Sequence, residues 1–202
     1  MYTRRLYFIR HGATAGNLQG RYVGRTDEGL LEESVVSLAK KDKLFGRVYT
    51  SPMKRCIQTA ECLCASRNHT VIAQFTERDF GAYEYKNYRE LSGDIRYQKW
   101  IDSNGTLPFP EGEDEELFYK RCIHGLREML LCEEQYGMKD APVICILHGG
   151  VIMALLFLLS GSGKSFYDYQ CKNEEGYVLT CKWSDACAPC FTDIKKYPPK
   201  DI

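Results

Sequence analysis

The sequence has no excess of charge of either sign. Lysine plus arginine and aspartate plus glutamate both number 27 among 202 residues, so the formal net charge is zero. A chain without a net positive field does not hold nucleic acid or an anionic membrane surface non-specifically. We therefore expect neither nucleic acid nor a membrane as a partner, and a site for an anion has to come from a local cluster of cations.

Long hydrophobic segments are also missing. The longest apolar run, residues 151–159, is far shorter than the roughly 20 residues that a membrane-spanning helix needs, and it fits a buried helix. The N-terminus leads directly into a strand-like segment, without the apolar stretch of a signal peptide. These features predict a cytoplasmic protein.

Cysteine is plentiful, but a full set of metal ligands is missing. Many of the ten cysteines lie in apolar patterns, where cysteine behaves as a small hydrophobic residue in a reducing compartment. Cys187 and Cys190 have the spacing of a metal or redox motif, yet no second Cys or His pair accompanies them. We expect free thiols, no metal and no organic cofactor.

Short apolar runs alternate with amphipathic segments along the chain. Strands are predicted at 5–10, 47–50, 71–75, 143–147 and, as the last one, 177–183. Helices are predicted at 30–45, at 52–66 with Ser51 as N-cap, at 113–136 and at 151–159. This alternation predicts a three-layer α/β/α fold with a mainly parallel central sheet, whose functional residues lie at the carboxyl ends of strands.

The length suits a single domain over residues 1–202. Residues 80–112 mix aromatic and polar side chains with a loop rich in proline and glycine, which is typical of a small cap or insertion. Residues 184–202 are polar and contain proline, so we expect this tail to be poorly ordered.

Several motifs follow one another in a fixed order. They read FIRHGAT at 8–14 with Asn17 following, GRYVGRTD at 20–27, SPMKRCIQTA at 51–60, ERDFG at 77–81, PEGE at 110–113 and HGG at 148–150. Together they resemble the signature of the histidine phosphatase superfamily, also called the phosphoglycerate-mutase-like family. The resemblance implies the fold of that family and chemistry on a phosphate ester.

The resemblance assigns a role to each residue of a phosphoryl site. His11 would be the nucleophile, with its other ring nitrogen held by a backbone carbonyl. Arg10 and Arg55 would grip the phosphoryl oxygens through their planar guanidinium groups. His148 would add a hydrogen bond to the phosphoryl group as charge develops in the transition state.

Further residues complete the implied site. Glu77 aligns with the general acid of the family, which protonates the leaving oxygen and then activates water; Glu84 is a rival carboxylate. Asn17 and Thr14 are candidate uncharged donors to the phosphoryl oxygens. His69 and His124 match no motif, and we interpret them as structural.

The segment between the acid and the last histidine favours a phosphatase. The mutases of the family carry a longer insertion with extra basic residues, whereas this stretch is short and rich in tyrosine. The size resembles the small bacterial phosphatases of the family, alpha-ribazole phosphatase among them, and aromatic rings suit a ligand with flat apolar parts.

The predicted function is hydrolysis of a small-molecule phosphate monoester through a phosphohistidine intermediate, with alpha-ribazole 5'-phosphate as one candidate substrate. Two alternatives stay open. They are phosphoryl transfer of the phosphoglycerate mutase type and a phosphate-binding protein without catalysis. The oligomeric state is not indicated by the sequence.

Overall fold

The computed structural model describes residues 1–103, 105–136, 141–184 and 188–198. The strands are β1 (Tyr2–Arg10), β2 (Arg47–Thr50), β3 (Thr70–Val71), β4 (Val143–Leu147), β5 (Gly176–Trp183) and β6 (Cys190–Tyr197). The α-helices are α1 (Ala15–Leu18), α2 (Glu32–Lys40), α3 (Lys54–Leu63), α4 (Ile95–Asp102), α5 (Glu115–Tyr136) and α6 (Gly149–Leu159). Short 3₁₀ helices cover Ala73–Phe75, Gly81–Tyr83 and Phe166–Tyr169.

The strands form one sheet in the order β3-β2-β4-β1-β5-β6. Strands β3, β2, β4 and β1 pair in parallel, while β5 pairs antiparallel with β1 and β6 antiparallel with β5. The parallel part brings the carboxyl ends of β1, β2 and β4 to the same edge of the sheet. Such an edge is where open α/β sheets carry their sites.

The two faces of the sheet are buried separately. Because side chains alternate along a strand, Val143, Cys145 and Leu147 of β4 join the core cluster that includes α5 and α6. Ile144 and Ile146 join the cluster on the other face, with side chains of α2 and α3. The predicted α/β/α architecture with a mainly parallel central sheet is confirmed.

Helix α3 begins later than the sequence pattern predicted. The prediction began the helix at Pro52 with Ser51 as its cap, whereas the structure begins it at Lys54 after Met53, which gives no side-chain cap. The Lys54 N–H donates instead to a carboxylate oxygen of Asp27 at 2.8 Å. The Ser51 hydroxyl forms a hydrogen bond with His148, so Ser51 does not act as the N-cap of α3.

The predicted strand at 71–75 is wrong beyond its first residue. Strand β3 ends at Val71, and Ala73–Phe75 form a 3₁₀ helix. This turn sends the fully buried Phe75 ring into the core against α5, where a Cβ at Gly125 would lie 2.9 Å from the ring. Close packing on α5 therefore outweighs the strand propensity of this run.

The C-terminal region contains more structure than predicted. Residues 177–183 were expected to form the last strand and residues 184–202 to be poorly ordered, but Cys190–Tyr197 form β6 along β5. The buried ring of Phe191 packs edge-on against Phe8 at 5.6 Å between centroids, which anchors this edge strand. Cys187 lies outside the described residues, and the cysteines within them are free thiols.

Residues between β3 and α5 build a third apolar cluster. Tyr83, Leu91, Tyr97 and Phe109 form its buried centre, and partly buried aromatic side chains pack around them. This cluster coincides with the segment predicted as a cap at 80–112. The division into one domain with a cap stays a prediction.

The most apolar of the described α-helices is α6. The predicted buried helix is confirmed, since Val151, Ile152, Ala154, Leu155 and Leu156 are fully buried against the sheet. Within the described ranges, the helices all lack the combination of length and apolar character needed to cross a membrane.

A buried carboxylate stabilises the sheet end opposite the site. Glu133 of α5 is 1% exposed and accepts a hydrogen bond from the Tyr49 hydroxyl at 2.7 Å. The guanidinium groups of Arg47 and Arg4 lie 2.9 and 3.6 Å from its oxygens. Removing one partner of such a network leaves the other charges buried without compensation.

We predict that Glu133→Ala lowers the free energy of unfolding by about 3 kcal/mol, measured by urea denaturation. Glu116→Ala is the matched control, because Glu116 is an exposed residue of α5 that pairs with the exposed Lys120, and its loss should cost less than about 0.5 kcal/mol. Equal losses for the two variants would contradict the role given to Glu133.

Candidate active site

The predicted nucleophile and the last motif histidine meet at the ends of neighbouring strands. Arg10 of β1 pairs in register with Leu147 of β4, and the His11 N–H donates to the Leu147 carbonyl at 3.0 Å. The imidazole rings of His11 and His148 lie 5.1 Å apart between centroids at an angle of 67°. Two motifs separated by most of the chain therefore form one site.

His11 is held as a neutral imidazole. Its side chain is 3% exposed, and Nδ1 lies 2.7 Å from the Gly12 carbonyl oxygen. Because a carbonyl only accepts, Nδ1 carries the proton, and Nε2 keeps a free lone pair. Burial, and then the positive charges of Arg55 and Arg10, hold the pKa of His11 well below its ordinary value, against a smaller opposing effect of the Gly12 bond.

The two predicted arginines occupy different positions. Arg10 lines the cavity and donates to the Cys171 carbonyl at 2.8 Å, while its buried Nε has no partner in the described part of the chain. Arg55 is fully buried and donates to the carbonyls of Thr26 and Gly24 at 2.8 and 3.0 Å. Both side chains place positive charge beside His11.

His148 uses both ring nitrogens inside the protein. Arg55 Nε donates to Nδ1 at 3.3 Å, so the proton of the neutral ring lies on Nε2, which donates to the Ser51 hydroxyl at 2.8 Å. Burial first, and then the charge of Arg55, hold its pKa well below the ordinary value. The hydrogen bond predicted from His148 to a phosphoryl group therefore requires a proton on Nδ1 and a new partner for Arg55.

Glu77 is among the described carboxylates that line the cavity, together with Glu174 and Glu175. One oxygen accepts from the Arg78 N–H at 2.9 Å and the other from the Gly150 N–H at 3.0 Å. A Cβ at Gly150 would lie 2.3 Å from Glu77 Oε1, so the second glycine of the HGG motif is needed for this approach. Glu77 lines the cavity beside His11.

Glu84, the alternative candidate for the general acid, hydrogen-bonds to a neighbouring loop. The Glu84 carboxylate accepts from the N–H groups of Gly24 and Thr26 at 3.1 and 2.9 Å and from the Thr26 hydroxyl at 2.8 Å. Glu84 thereby holds the loop whose carbonyls bind Arg55. It is not among the described residues that line the cavity.

The two predicted uncharged donors, Asn17 and Thr14, have different surroundings in the structure. Asn17 lines the cavity, and its Oδ1 accepts from the Thr14 N–H at 3.3 Å. Thr14 is fully buried and its hydroxyl accepts from the Asn17 N–H at 3.3 Å, which caps α1. The Thr14 hydroxyl thus serves as a helix cap and is absent from the described cavity lining, and its assignment to phosphate binding stays a prediction.

The cavity in front of His11 has a volume of about 1070 Å³. Its aromatic wall consists of Tyr22, Phe80, Trp100, Phe109, Phe118, Phe166 and Tyr167. The guanidinium of Arg78 lies 4.7 Å from the centroid of Phe109, so the wall also carries a cation. His69 and His124 are absent from the described lining, and their structural interpretation stays a prediction.

Sequence reasoning missed the contribution of two later segments to this cavity. Phe166 and Tyr167 come from the 3₁₀ helix after α6, and Asn173 comes from the loop before β5. No motif marked them, although the Asn173 side chain contacts the nucleophile loop directly. In the described ranges, the acidic, histidine and cysteine side chains form no group of three or more that could hold a metal ion.

The sequence model of the histidine phosphatase superfamily (branch 1) matches residues 6–185, and the chain belongs to this family. It is 27% identical over 162 residues to the adenosylcobalamin/alpha-ribazole phosphatase of Salmonella typhimurium, with 75% of this chain and 77% of that one covered. The structure of a mycobacterial glucosyl-3-phosphoglycerate phosphatase superposes with a TM-score of 0.76 at 22% identity, covering 98% and 100% of the two chains.

The matches to phosphoglycerate mutases are shorter. The chain is 32% identical over 119 residues to the 2,3-bisphosphoglycerate-dependent phosphoglycerate mutase 2 of Latilactobacillus sakei, and the match spans 52% of each chain. Family membership and the phosphatases among the relatives identify the chain as an enzyme that acts on phosphate monoesters.

We predict that His11 stays neutral at pH values well below 6.5, because burial and the two arginines disfavour its imidazolium form. The measurement is a pH titration of the side-chain nitrogens of ¹⁵N-labelled protein by NMR. Lowering the pH through 6.5 should leave the His11 Nδ1–H tautomer unchanged. Protonation of His11 near pH 6.5 would show that the arginines do not act on it as described.

Proposed function

We propose that the protein hydrolyses a small-molecule phosphate monoester through a phosphohistidine at His11. The observation that carries this proposal is the setting of His11, a buried imidazole with Nδ1 2.7 Å from the Gly12 carbonyl oxygen. Burial and the guanidinium charges beside it hold its pKa well below the ordinary value. A nucleophile needs a free lone pair, and a phosphoryl group needs fixed positive charge. This site offers both, since His11 and Arg10 line the same cavity.

In the first step Nε2 of His11 attacks phosphorus while the bond from phosphorus to the ester oxygen breaks. The proton on the Glu77 carboxyl passes to the departing oxygen. In the second step water attacks the phosphohistidine, Glu77 accepts the proton of that water, and the bond between nitrogen and phosphorus breaks. His11 and the protonated Glu77 are then restored, and inorganic phosphate leaves.

Arg10, Arg55 and Asn17 would bind the phosphoryl oxygens. Arg10 already lines the cavity, and its buried Nε has no partner among the residues that the structure describes. Arg55 donates to neutral carbonyls. A phosphate dianion can displace these carbonyls as the acceptor, because charge-assisted hydrogen bonds are stronger. Once Arg55 turns to the anion, Nδ1 of His148 is released. The ring proton can then move from Nε2 to Nδ1, with the Ser51 hydroxyl donating to Nε2, and the Nδ1–H can donate to the same phosphoryl group.

The aromatic wall supports a substrate whose alcohol part is large and flat. Rings on several sides of a cavity of about 1070 Å³ bind a planar group through stacking and edge contacts. Alpha-ribazole 5'-phosphate has such a group, and an alpha-ribazole phosphatase is among the relatives. We propose the cytoplasm as the location, because the described cysteines are free thiols, with neither nucleic acid nor a membrane as partner.

The test is phosphate release from a panel of monoesters in the presence of EDTA. The panel contains alpha-ribazole 5'-phosphate, sugar phosphates, nucleotides and 3-phosphoglycerate. We expect release with EDTA present and the highest kcat/KM for esters with a flat aromatic alcohol. Activity that collapses in EDTA and returns with a divalent ion, or interconversion of phosphoglycerates without release, would contradict the proposal.

His11→Ala should lower kcat by roughly 10⁴-fold or more, because no other group replaces the nucleophile. Rapid acid-free quenching of the wild-type protein should trap one phosphoryl group on His11 by mass spectrometry. His69→Ala is the matched control, since His69 lies outside the described cavity lining. Near-normal turnover of His11→Ala would remove His11 from the mechanism.

Glu77→Gln should slow esters with poor leaving groups by roughly 10²- to 10⁴-fold, because their alkoxides need a proton on departure. The effect on p-nitrophenyl phosphate should be much smaller, since its leaving group is stable as an anion. Glu61→Gln, an exposed change on α3, is the control. Equal losses for alkyl esters and p-nitrophenyl phosphate would exclude Glu77 as the acid.

A further inference from the structure

The loop before β5 lies directly against the nucleophile. Its backbone continues the pairing between β1 and β5, because the Arg10 N–H donates to the Glu175 carbonyl at 2.8 Å and the Glu174 N–H donates to the Arg10 carbonyl at 3.0 Å. The residue immediately before these contacts is Asn173, which lines the cavity. No motif in the sequence had marked this residue.

The other side of this loop is anchored to α2. The Glu174 carboxylate accepts from the hydroxyls of Ser34 and Ser37 at 2.6 and 2.8 Å and pairs with Lys41 at 2.8 Å. The Ser34 oxygen also accepts from the Ala13 N–H at 2.8 Å. The loop is thus fixed to the same segment that carries His11, and Asn173 has a defined position.

The Asn173 amide nitrogen has three oxygens within reach. Nδ2 lies 3.0 Å from the His11 carbonyl, 3.3 Å from the Gly12 carbonyl and 3.0 Å from Oδ1 of Asn17. All three atoms are acceptors, so they require the N–H side of the amide and exclude the flipped orientation. Its two N–H groups are shared among the three.

Two of these oxygens matter for the reaction. The Gly12 carbonyl is the acceptor that keeps the proton of His11 on Nδ1. The side-chain oxygen of Asn17 accepts from Asn173 and from the Thr14 N–H. The amide N–H groups of Asn17 are therefore available to a ligand in the cavity. One amide therefore touches both the group that sets the tautomer of the nucleophile and a donor that faces the substrate.

We infer that Asn173 is a positioning residue, which locks the tautomer of His11 through the Gly12 carbonyl and aims the Asn17 amide at the phosphoryl group. Its effect on turnover rests on the proposed function, whereas its effect on His11 does not. Residues that hold a reacting group in this indirect way commonly contribute 10- to 100-fold.

The experiment compares wild type with Asn173→Ala, Asn173→Asp and the exposed control Asn68→Ala. Asn173→Ala should lower kcat by roughly 10- to 100-fold with a much smaller change in KM. Asn173→Asp keeps the volume but lacks N–H donors, so it should be at least as impaired. Full activity of Asn173→Asp would show that Asn173 contributes only its packing volume and would overturn the inference.

A double-mutant cycle with Asn17→Ala tests whether Asn173 acts through Asn17. If it does, Asn173→Ala costs clearly less in the Asn17→Ala background than in wild type. Strictly independent losses would overturn the claimed contact. Circular dichroism and thermal melting confirm that each variant is folded before its kinetics are compared.

The ¹⁵N spectrum of His11 separates this inference from the proposed function. In wild type Nδ1 should be protonated and Nε2 free, and in folded Asn173→Ala the two tautomers should mix. That result supports the inference even if the panel shows no hydrolysis, in which case only the proposed function fails. Unchanged His11 nitrogens together with unchanged kcat in Asn173→Ala would overturn the inference.

Discussion

The site depends on the hydrogen bond from Nδ1 of His11 to the Gly12 carbonyl. This bond is buried and lies beside two guanidinium groups. It determines which ring nitrogen is free. Burial and the charges of Arg55 and Arg10 then keep that nitrogen unprotonated. Burying two guanidinium groups costs free energy unless their N–H groups are hydrogen-bonded. Here backbone carbonyls of neighbouring loops accept those hydrogen bonds.

The fold provides this contact through the end of its sheet. Parallel pairing of β1 with β4 brings the two histidines together, and Gly150 at the start of α6 lets Glu77 approach. Glu84 holds the loop that binds Arg55, and Asn173 holds the loop that carries His11. Charged and polar side chains that do not touch the substrate thus support those that would. The same fold then leaves room for an aromatic cavity, whose shape would select the alcohol part of the ester.

Strand ends and motif residues were predictable because they depend on local pattern. The apolar runs at β1 and β4 stop at a histidine and a glycine, which was enough to place Arg10, His11 and His148 at one edge. Contacts made across the fold were not predictable. Ser51 has the pattern of a helix cap but hydrogen-bonds to His148, and the cap that Thr14 provides to α1 was not among the predictions. Asn173 lies in a loop without periodicity, and its partners are carbonyls that only the tertiary structure brings near.

The most direct measurement is a crystal structure of the protein with vanadate, which mimics the phosphoryl group in flight. We expect vanadium bonded to Nε2 of His11, with its oxygens bound by Arg10, by Arg55 released from the Thr26 and Gly24 carbonyls, and by Nδ1 of His148. Vanadate bound elsewhere in the cavity, with Arg55 still on those carbonyls, would contradict the proposed mechanism.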